Sequence, residues 1–525
     1  MTIRDLLLAR AADDRTALLA EDSRWSWREY VDDASRRAAG LRHRFDPSRP
    51  PHVGLLMDNT PEMALQLAAA GLGGHVAVGL NTTRRGSGLL ADIRKADVQV
   101  LITDDAHVAL LDGLGLDGVE VLTAAPVADT ALVPVDLSDA SLFMLIFTSG
   151  TSGDPKAVRI THEKITYPGA YLVERLGLTG ADVHYVAMPL FHSNAVMAGW
   201  APALTSGAAV ALAEKFSASR FLADVRRYGA TYANYVGKPL AYVLATPEQP
   251  DDADNPLRLV FGNEAGDEVT SAFARRFGCV VVDGFGSTEN AVVVSRTPDT
   301  PPGSLGQPFP DVKVLDPVTG RECPRAEYDE HGRVTNLDAC VGELVNVTGR
   351  GQFAGYYNDE AATAERMRDG MYWSGDLAYR DADGFVFYAG RTADWLRVDG
   401  ENLAAAPVER ILLRHPAITE AAVYAVPDPL AGDRMVAALV LSSPLDPASF
   451  ESFLSAQEDL GTKAWPAHVL LAESLPRTAT NKVLKRELRE LGLSAPGTWW
   501  TREERGVSYT PAREPHARGL SGSTL

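Results

Sequence analysis

Ile146-Phe147-Thr148-Ser149-Gly150-Thr151-Ser152-Gly153-Asp154-Pro155-Lys156 collects hydroxyls, glycines and one lysine behind an apolar run, Ser141 to Phe147, that reads as a buried strand. Glycines such as Gly150 and Gly153 let successive N–H groups converge on one anion. The hydroxyls of Thr148, Ser149, Thr151 and Ser152 add donors, and Lys156 supplies full charge. This is the chemistry of a phosphate cradle. It is not the P-loop of common ATPases, which needs G-x-x-x-x-G-K-[ST] opening a helix. Here Lys156 follows Asp154-Pro155, and Val158-Arg159-Ile160 alternates like a strand. The loop is therefore expected to join two strands and to close on phosphates when they are present. The plainer reading is a surface turn rich in Ser and Gly.

A second group, Asp283-Gly284-Phe285-Gly286-Ser287-Thr288-Glu289-Asn290, follows another apolar run. In an open α/β sheet, ligands sit at the carboxyl ends of strands. Gly284 and Gly286 let the backbone pass close to a flat ring, and Phe285 offers a stacking face. Ser287 and Thr288 bring hydroxyls, Thr288 as a donor to phosphate, and Glu289 can hold Mg²⁺ against a triphosphate. The competing reading is a loop with an N-capping hydroxyl and its acidic partner.

The elements that must position these groups alternate. Val53–Met57, Val76–Leu80, Val98–Thr103, His184–Met188, Ala208–Leu212, Thr231–Val236, Leu257–Phe261 and Cys279–Val282 read as strands with helical lengths between them. Asn59-Thr60-Pro61 starts a helix with a cap and an N1 proline. Strands separated by helices imply mostly parallel sheets covered on both faces. After about residue 303 the texture turns to short strands, and beyond Arg391 a small α+β unit follows. The expected class is α/β: a large N-terminal domain, 1–392, with a β-rich subdomain, and a small mobile C-terminal domain, 393–525. The tail after Pro496, polar and Gly-containing, is expected to be loosely held at its end.

With 525 residues, a single core is not expected. A net charge of −19 argues against a general nucleic-acid or anionic-membrane surface, so any anion must be held by local groups. Cys279, Cys323 and Cys340 show no metal spacing and an odd count, which points to reduced thiols in the cytoplasm. The charged N-terminus does not resemble a signal peptide, and the uncharged run Phe191–Ala213 contains Pro202, Ser206 and Gly207, which favours a buried helix-turn-strand over a membrane span. Peripheral membrane contact and a homodimer are both compatible with this composition.

The first string resembles the phosphate loop of the adenylate-forming (ANL) superfamily, which includes acyl-CoA synthetases, aryl-CoA ligases, luciferase-like enzymes and peptide-synthetase adenylation domains. The second resembles its aromatic-Gly-x-Thr-Glu motif. Within Asp369-Gly370-Met371-Tyr372-Trp373-Ser374-Gly375-Asp376, Asp376 resembles the aspartate that accepts from both ribose hydroxyls, and Arg391 the arginine that joins it. Gly262-Asn263-Glu264-Ala265 is similar to the segment lining the adenine. Leu475-Pro476-Arg477-Thr478-Ala479-Thr480-Asn481-Lys482 looks like the C-terminal lysine loop, Gly400 resembles the glycine of the pantetheine tunnel, and Pro189-Leu190-Phe191-His192 the segment whose histidine sits by the acyl carboxylate. Leu80–Arg85, Tyr235–Leu240 and Gly390–Asn402 are similar to the fatty-acid-transport-protein, very-long-chain acyl-CoA synthetase branch, from about residue 50 to 510.

The resemblance implies ATP, Mg²⁺ and CoA, and two half-reactions: a carboxylate attacks the α-phosphorus to give acyl-AMP and pyrophosphate, then a thiol expels AMP. Lys156, Thr288, Glu289, His192 and Lys482 would carry the first, and the small domain would then turn about a hinge at Ala393. His192, where amino-acid-specific relatives place an aspartate, disfavours an amino-acid substrate. The implied substrate is a long fatty acid or another bulky apolar acid such as a steroid side-chain acid. Rivals are an acyl-AMP ligase loading a carrier protein, a luciferase-like oxidation, and a nucleotide-binding scaffold that has lost catalysis. Asp154, Ala393 and Asn481 depart from the family pattern.

Overall fold

A computed structural model of the chain describes residues 1–132, 135–148, 155–391, 395–398, 401–428, 432–457, 459–477, 483–502 and 506–512. Its contacts form two compact units, Met1–Arg296 with Arg350–Gly370, and Thr297–Gly349 with Met371–Leu525.

Among the described residues, two sheets of the first unit use the strands β1 (Thr16–Ala20), β2 (Ser23–Ser26), β3 (His52–Leu56), β4 (Val76–Gly79), β5 (Val100–Thr103), β6 (Glu120–Leu122), β7 (Leu142–Thr148), β8 (Lys156–Thr161), β9 (Val183–Val186), β10 (Ala209–Leu212), β11 (Tyr232–Val236), β12 (Leu259–Asn263) and β13 (Val280–Gly284). The sheets are ordered β13-β12-β11-β9-β10-β1-β2 and β6-β5-β3-β4-β7-β8. Within them only β1–β2 and β7–β8 pair antiparallel. The mostly parallel α/β architecture expected from the alternation is what the chain forms. Strands β3, β4 and β5 are buried along their whole length, as parallel strands with both faces covered must be. The helix Pro61–Gly73 starts where its cap predicts: Thr60 Oγ1 accepts from the N–H of Met63 at 3.2 Å, and Pro61 sits at N1.

In the second unit, Val312–Leu315, Gly342–Asn346, Met371–Arg380 and Val386–Arg391 pair consecutively antiparallel. The C-terminal sheet centres on Gly432–Leu441, which pairs antiparallel with Ile418–Asp428 and parallel with His468–Leu471. The stretch after Pro496 joins this sheet before the chain end that is expected to be loosely held. Thr498–Arg502 and Tyr509–Ala512 are strands at the edge of this sheet. The reason is Trp499-Trp500: neighbouring residues of a strand point to opposite faces, so Trp499 packs with Leu470 and Leu488 while Trp500 packs with Phe450 and Val469. Residues 513–525 lie outside the described residues.

Candidate functional site

In the first unit the groups singled out from sequence are brought to carboxyl ends of strands. Thr148 ends β7 and Lys156 opens β8, directly opposite each other, with Thr148 Oγ1 donating to the Lys156 carbonyl at 3.4 Å. The loop does join two strands. Ser149, Gly150, Thr151, Ser152 and Gly153 lie outside the described residues, as do Gly400 and Lys482. The Lys156 side chain is 8 % exposed, and its Nζ lies 3.6 Å from the exposed carboxylate of Glu365, a contact weakened by water on the acid's side.

Residues 355–357 run along the free edge of β8. Val158 bridges Tyr356, Arg159 N–H donates to the Gly355 carbonyl, and Tyr357 N–H to that of Ala157. Lys95 ties the segment down, donating to Asp359 at 2.8 Å and to the Pro155 carbonyl. This edge pairing sets Tyr356 between two groups of opposite charge. Its ring lies 5.2 Å beneath Lys156 Nζ, and its hydroxyl donates to Glu289 Oε1 at 2.8 Å. A cation over a π face is attracted by the ring's negative face, and a hydroxyl donating to a carboxylate favours its charged form. Burial pushes the Glu289 carboxyl up, but the Tyr356 hydroxyl, a backbone N–H, Lys164 and Arg366 outweigh it and hold Glu289 below its ordinary range. Tyr356 is not legible from the sequence alone, because it reaches Glu289 through this long-range edge pairing.

Glu289 therefore fits Mg²⁺: it stays ionised, on a loop at the end of β13. Among the described residues no cluster of three or more His, Cys, Asp or Glu is placed to hold a metal. A divalent ion here depends on one carboxylate plus phosphate oxygens, the usual Mg²⁺ arrangement.

Thr288 Oγ1 lies 2.9 Å from Ser193 Oγ, next to His192. Asn59, at the end of β3, positions that segment by donating to the Met188 and Ala213 carbonyls and accepting from the Leu190 N–H. Phe191 packs on the His192 ring at 4.7 Å and against Gly79, where an added Cβ would come within 3.0 Å of the Phe191 backbone.

Gly262 and Asn263 end β12, beside Gly284 at the end of β13. Asn263 Nδ2 donates to the Gly284 carbonyl at 2.7 Å, and a Cβ on Gly262 would collide with the Tyr235 carbonyl at 2.2 Å. Glu264 follows with φ +71°. Asp283 fastens the two loops together: its Oδ2 accepts from the Tyr235 hydroxyl and from the Ala265 N–H. Burial pushes its carboxyl up to about 6. Phe285 bridges Val294, while Gly286 and Ser287 continue the turn into Thr288 and Glu289.

In the second unit, Asp376 and Arg391 stand opposite each other on adjacent antiparallel strands, with Arg391 Nε donating to Asp376 Oδ1 at 3.1 Å. Asp376 is 5 % exposed, and Gly375 before it donates its N–H to Glu343.

The AMP-binding enzyme family model matches residues 8–357, and the AMP-binding enzyme C-terminal domain model matches residues 407–482. A medium/long-chain-fatty-acid–CoA ligase (FadD17) of Mycobacterium marinum is 52 % identical over 506 residues, covering 95 % of this chain and 98 % of that protein. The steroid-22-oyl-CoA synthetase of Rhodococcus jostii is 46 % identical, covering 93 % and 91 %. Among solved structures, the O-succinylbenzoate coenzyme A synthetase of Bacillus subtilis in complex with ATP and magnesium ion superposes with a TM-score of 0.78 at 27 % identity, covering 92 % of this chain and 98 % of that one. The chain belongs to the AMP-binding enzyme family, within the adenylate-forming superfamily, and is an AMP-forming acyl-CoA synthetase. Its co-substrates are ATP, used with Mg²⁺, and CoA. No helix among the described residues is long and apolar enough to cross a membrane.

Proposed function

We propose that the substrate is a medium- to long-chain fatty acid or a comparably bulky apolar acid, converted with ATP and CoA into acyl-CoA, AMP and pyrophosphate. One observation carries the assignment of the chemistry to named residues: Tyr356 holds Lys156 over its ring and Glu289 on its hydroxyl, which poises a cation and an anion for one triphosphate. The substrate class is supported by the 52 % relative, and a steroid side-chain acid is the second reading, supported by the 46 % relative.

In the first half-reaction two anions must approach, so the barrier is largely electrostatic. Lys156 and Thr288 would bind phosphate oxygens, and Lys482 would bridge the carboxylate and the α-phosphate. His192, beside Ser193, would lie by the acyl carboxylate. Mg²⁺ held by Glu289, when bound, supplies positive charge to the phosphates. Asp376 would accept from the ribose hydroxyls with Arg391 beside it; Gly262, Asn263 and Glu264 would line the adenine. The lid, residues 393–525, would then turn about Ala393 to admit the thiol past Gly400. Three free, buried thiols fit a cytoplasmic setting; a homodimer is checked by sedimentation.

The deciding experiment is pyrophosphate release and acyl-CoA formation across carboxylic acids varied in chain length and ring content, with and without CoA. Medium- to long-chain or steroid-like acids are expected to lead. Turnover confined to short polar or amino acids defeats the substrate assignment, and pyrophosphate without acyl-CoA favours carrier loading. Two variants refine the roles. Asp376→Asn keeps shape but gives up charge, and is expected to raise KM for ATP about tenfold with little change in kcat, as for a contact made equally in ground and transition states. Gly400→Leu is expected to lower thioester formation about thirtyfold while sparing adenylation; equal loss in both steps would remove Gly400 from the tunnel.

A further inference from the structure

A chain of polar side chains leads from Thr288 into the interior of the first unit. Ser193 touches Thr288; next to it, Asn194 donates Nδ2 to the Tyr235 carbonyl at 2.9 Å and accepts at Oδ1 from Asn234 Nδ2 at 2.6 Å. Asn234 lies mid-strand in β11. Side chains of a strand alternate, so Ala233 and Tyr235 join the core around Phe221 and Phe273 while Tyr232 and Asn234 face the segment Ala195–Trp200. That segment is π-helical, a geometry that is rare and concentrated at functional sites. Two of its carbonyls are taken by side chains from the sheet: Ala198 accepts from the Tyr232 hydroxyl at 2.6 Å, and Gly199 is bonded by His184 Nδ1 at 3.2 Å.

The direction of each hydrogen bond follows from partners that can only accept. The Tyr235 carbonyl orients the Asn194 amide, which in turn makes Asn234 the donor through Nδ2 and leaves its Oδ1 as an acceptor. The Gly199 carbonyl requires the proton on His184 Nδ1, so Nε2 is a bare acceptor; burial holds the ring neutral, with its pKa pushed down to about 4. Among the described residues, Asn234 Oδ1 and His184 Nε2 are buried without a hydrogen-bond partner, on residues 5 % and 0 % exposed. They flank the same residue: His184 bonds the Gly199 carbonyl, and a Cβ on Gly199 would lie 2.9 Å from Asn234 Oδ1. Two buried acceptors with no donor are costly unless a donor arrives.

We propose that Asn234 and His184 form the inner end of the acyl site, where a hydroxyl on the acid, remote from its carboxylate, donates its one proton to one of these two acceptors. The preferred substrates are then apolar acids carrying a remote hydroxyl, rather than plain alkyl chains. This rests on the acyl-CoA synthetase reading above, with His192 and Ser193 at the carboxylate end.

The test is pyrophosphate release with pairs of acids sharing one skeleton: ω-hydroxy fatty acids against their parents at several lengths, and ring-bearing hydroxy acids against their deoxy forms. Wild-type enzyme is expected to favour the hydroxylated member of at least one pair by about tenfold or more in kcat/KM. Asn234→Leu or His184→Phe, whichever removes the accepting atom, is expected to bring that ratio to within about threefold of one. Equal rates across every pair in the wild-type enzyme overturn the proposal and leave a buried water as the partner of the two acceptors; this comparison needs no variant to fold. A preference that survives both substitutions also overturns it. If no acid of either kind releases pyrophosphate, the ligase assignment itself fails, a result distinct from a lost preference.

Discussion

Glu289→Gln lowers adenylate formation by about 10³-fold at saturating ATP and shifts the Mg²⁺ requirement to higher concentration. The substitution separates charge from shape. The Gln carbonyl can still accept from the Tyr356 hydroxyl, which donates to Glu289 at 2.8 Å in the native protein, so the edge pairing of residues 355–357 with β8 has no reason to break. What disappears is the negative charge. The surrounding groups act to keep that charge: the Tyr356 hydroxyl, a backbone N–H, Lys164 and Arg366 together outweigh burial, which pushes the carboxyl the other way. No other cluster of potential ligands among the described residues could take over the ion. The measurement is pyrophosphate release as a function of free Mg²⁺. An unchanged rate and an unchanged half-saturating Mg²⁺ concentration would show that Glu289 is a structural acid bound to Tyr356, and the assignment of metal binding would have to be withdrawn. Tyr356→Phe gives the complementary comparison, since it leaves the charge but removes the donor.

How much of this was legible depended on whether a residue's role is set locally. Lys156 and Glu289 stood out because glycines, hydroxyls and a charge were clustered within a few residues of an apolar run, and β7 and β13, which lead into those clusters, were visible from their apolar runs. The Asp376–Arg391 pair was legible by resemblance, and the antiparallel register that joins it is a consequence of two neighbouring strands. Tyr356 was not, because it reaches Glu289 across 67 residues through the free edge of β8, and edge pairing leaves no local pattern. Asn234 gave a signal that went unread: a polar residue in the middle of a buried parallel strand is seldom placed there for packing. The two adjacent tryptophans after Pro496 gave another, since burying both rings ties the stretch ahead of the chain end to the sheet. Lys164 was hidden most thoroughly. Next to Glu163 in the first turn of the helix Glu163–Leu176, it reads as a solvated charge, yet tertiary packing closes over it completely.

That burial makes Lys164→Met the stability change with the largest expected effect. Lys164 is 0 % exposed, its Nζ has no hydrogen-bond partner among the described residues, and desolvation lowers its pKa from 10.5 to about 7, with Glu289 pulling the other way. The unfolded chain holds this proton up to about pH 10.5, whereas the folded chain releases it near pH 7. Between those values unfolding takes up a proton, so the native state gains stability as pH rises and carries the full penalty below pH 7. The gap corresponds to roughly 5 kcal/mol at pH 6. Methionine has similar length and no charge to desolvate, so Lys164→Met is expected to stabilise the first unit by about 3–5 kcal/mol at pH 6, the gain shrinking steadily towards pH 10. Urea midpoints of wild type and variant across that range read the difference directly. A gain of equal size at pH 6 and pH 10 would mean that the amine is tolerated charged, with Glu289 as its effective counter-ion. Combining the substitution with Glu289→Gln then distinguishes the two cases. If the carboxylate supports the ammonium, Glu289→Gln destabilises the wild type at pH 6 and does so much less once Lys164 is methionine, whereas two independent sites would give additive shifts.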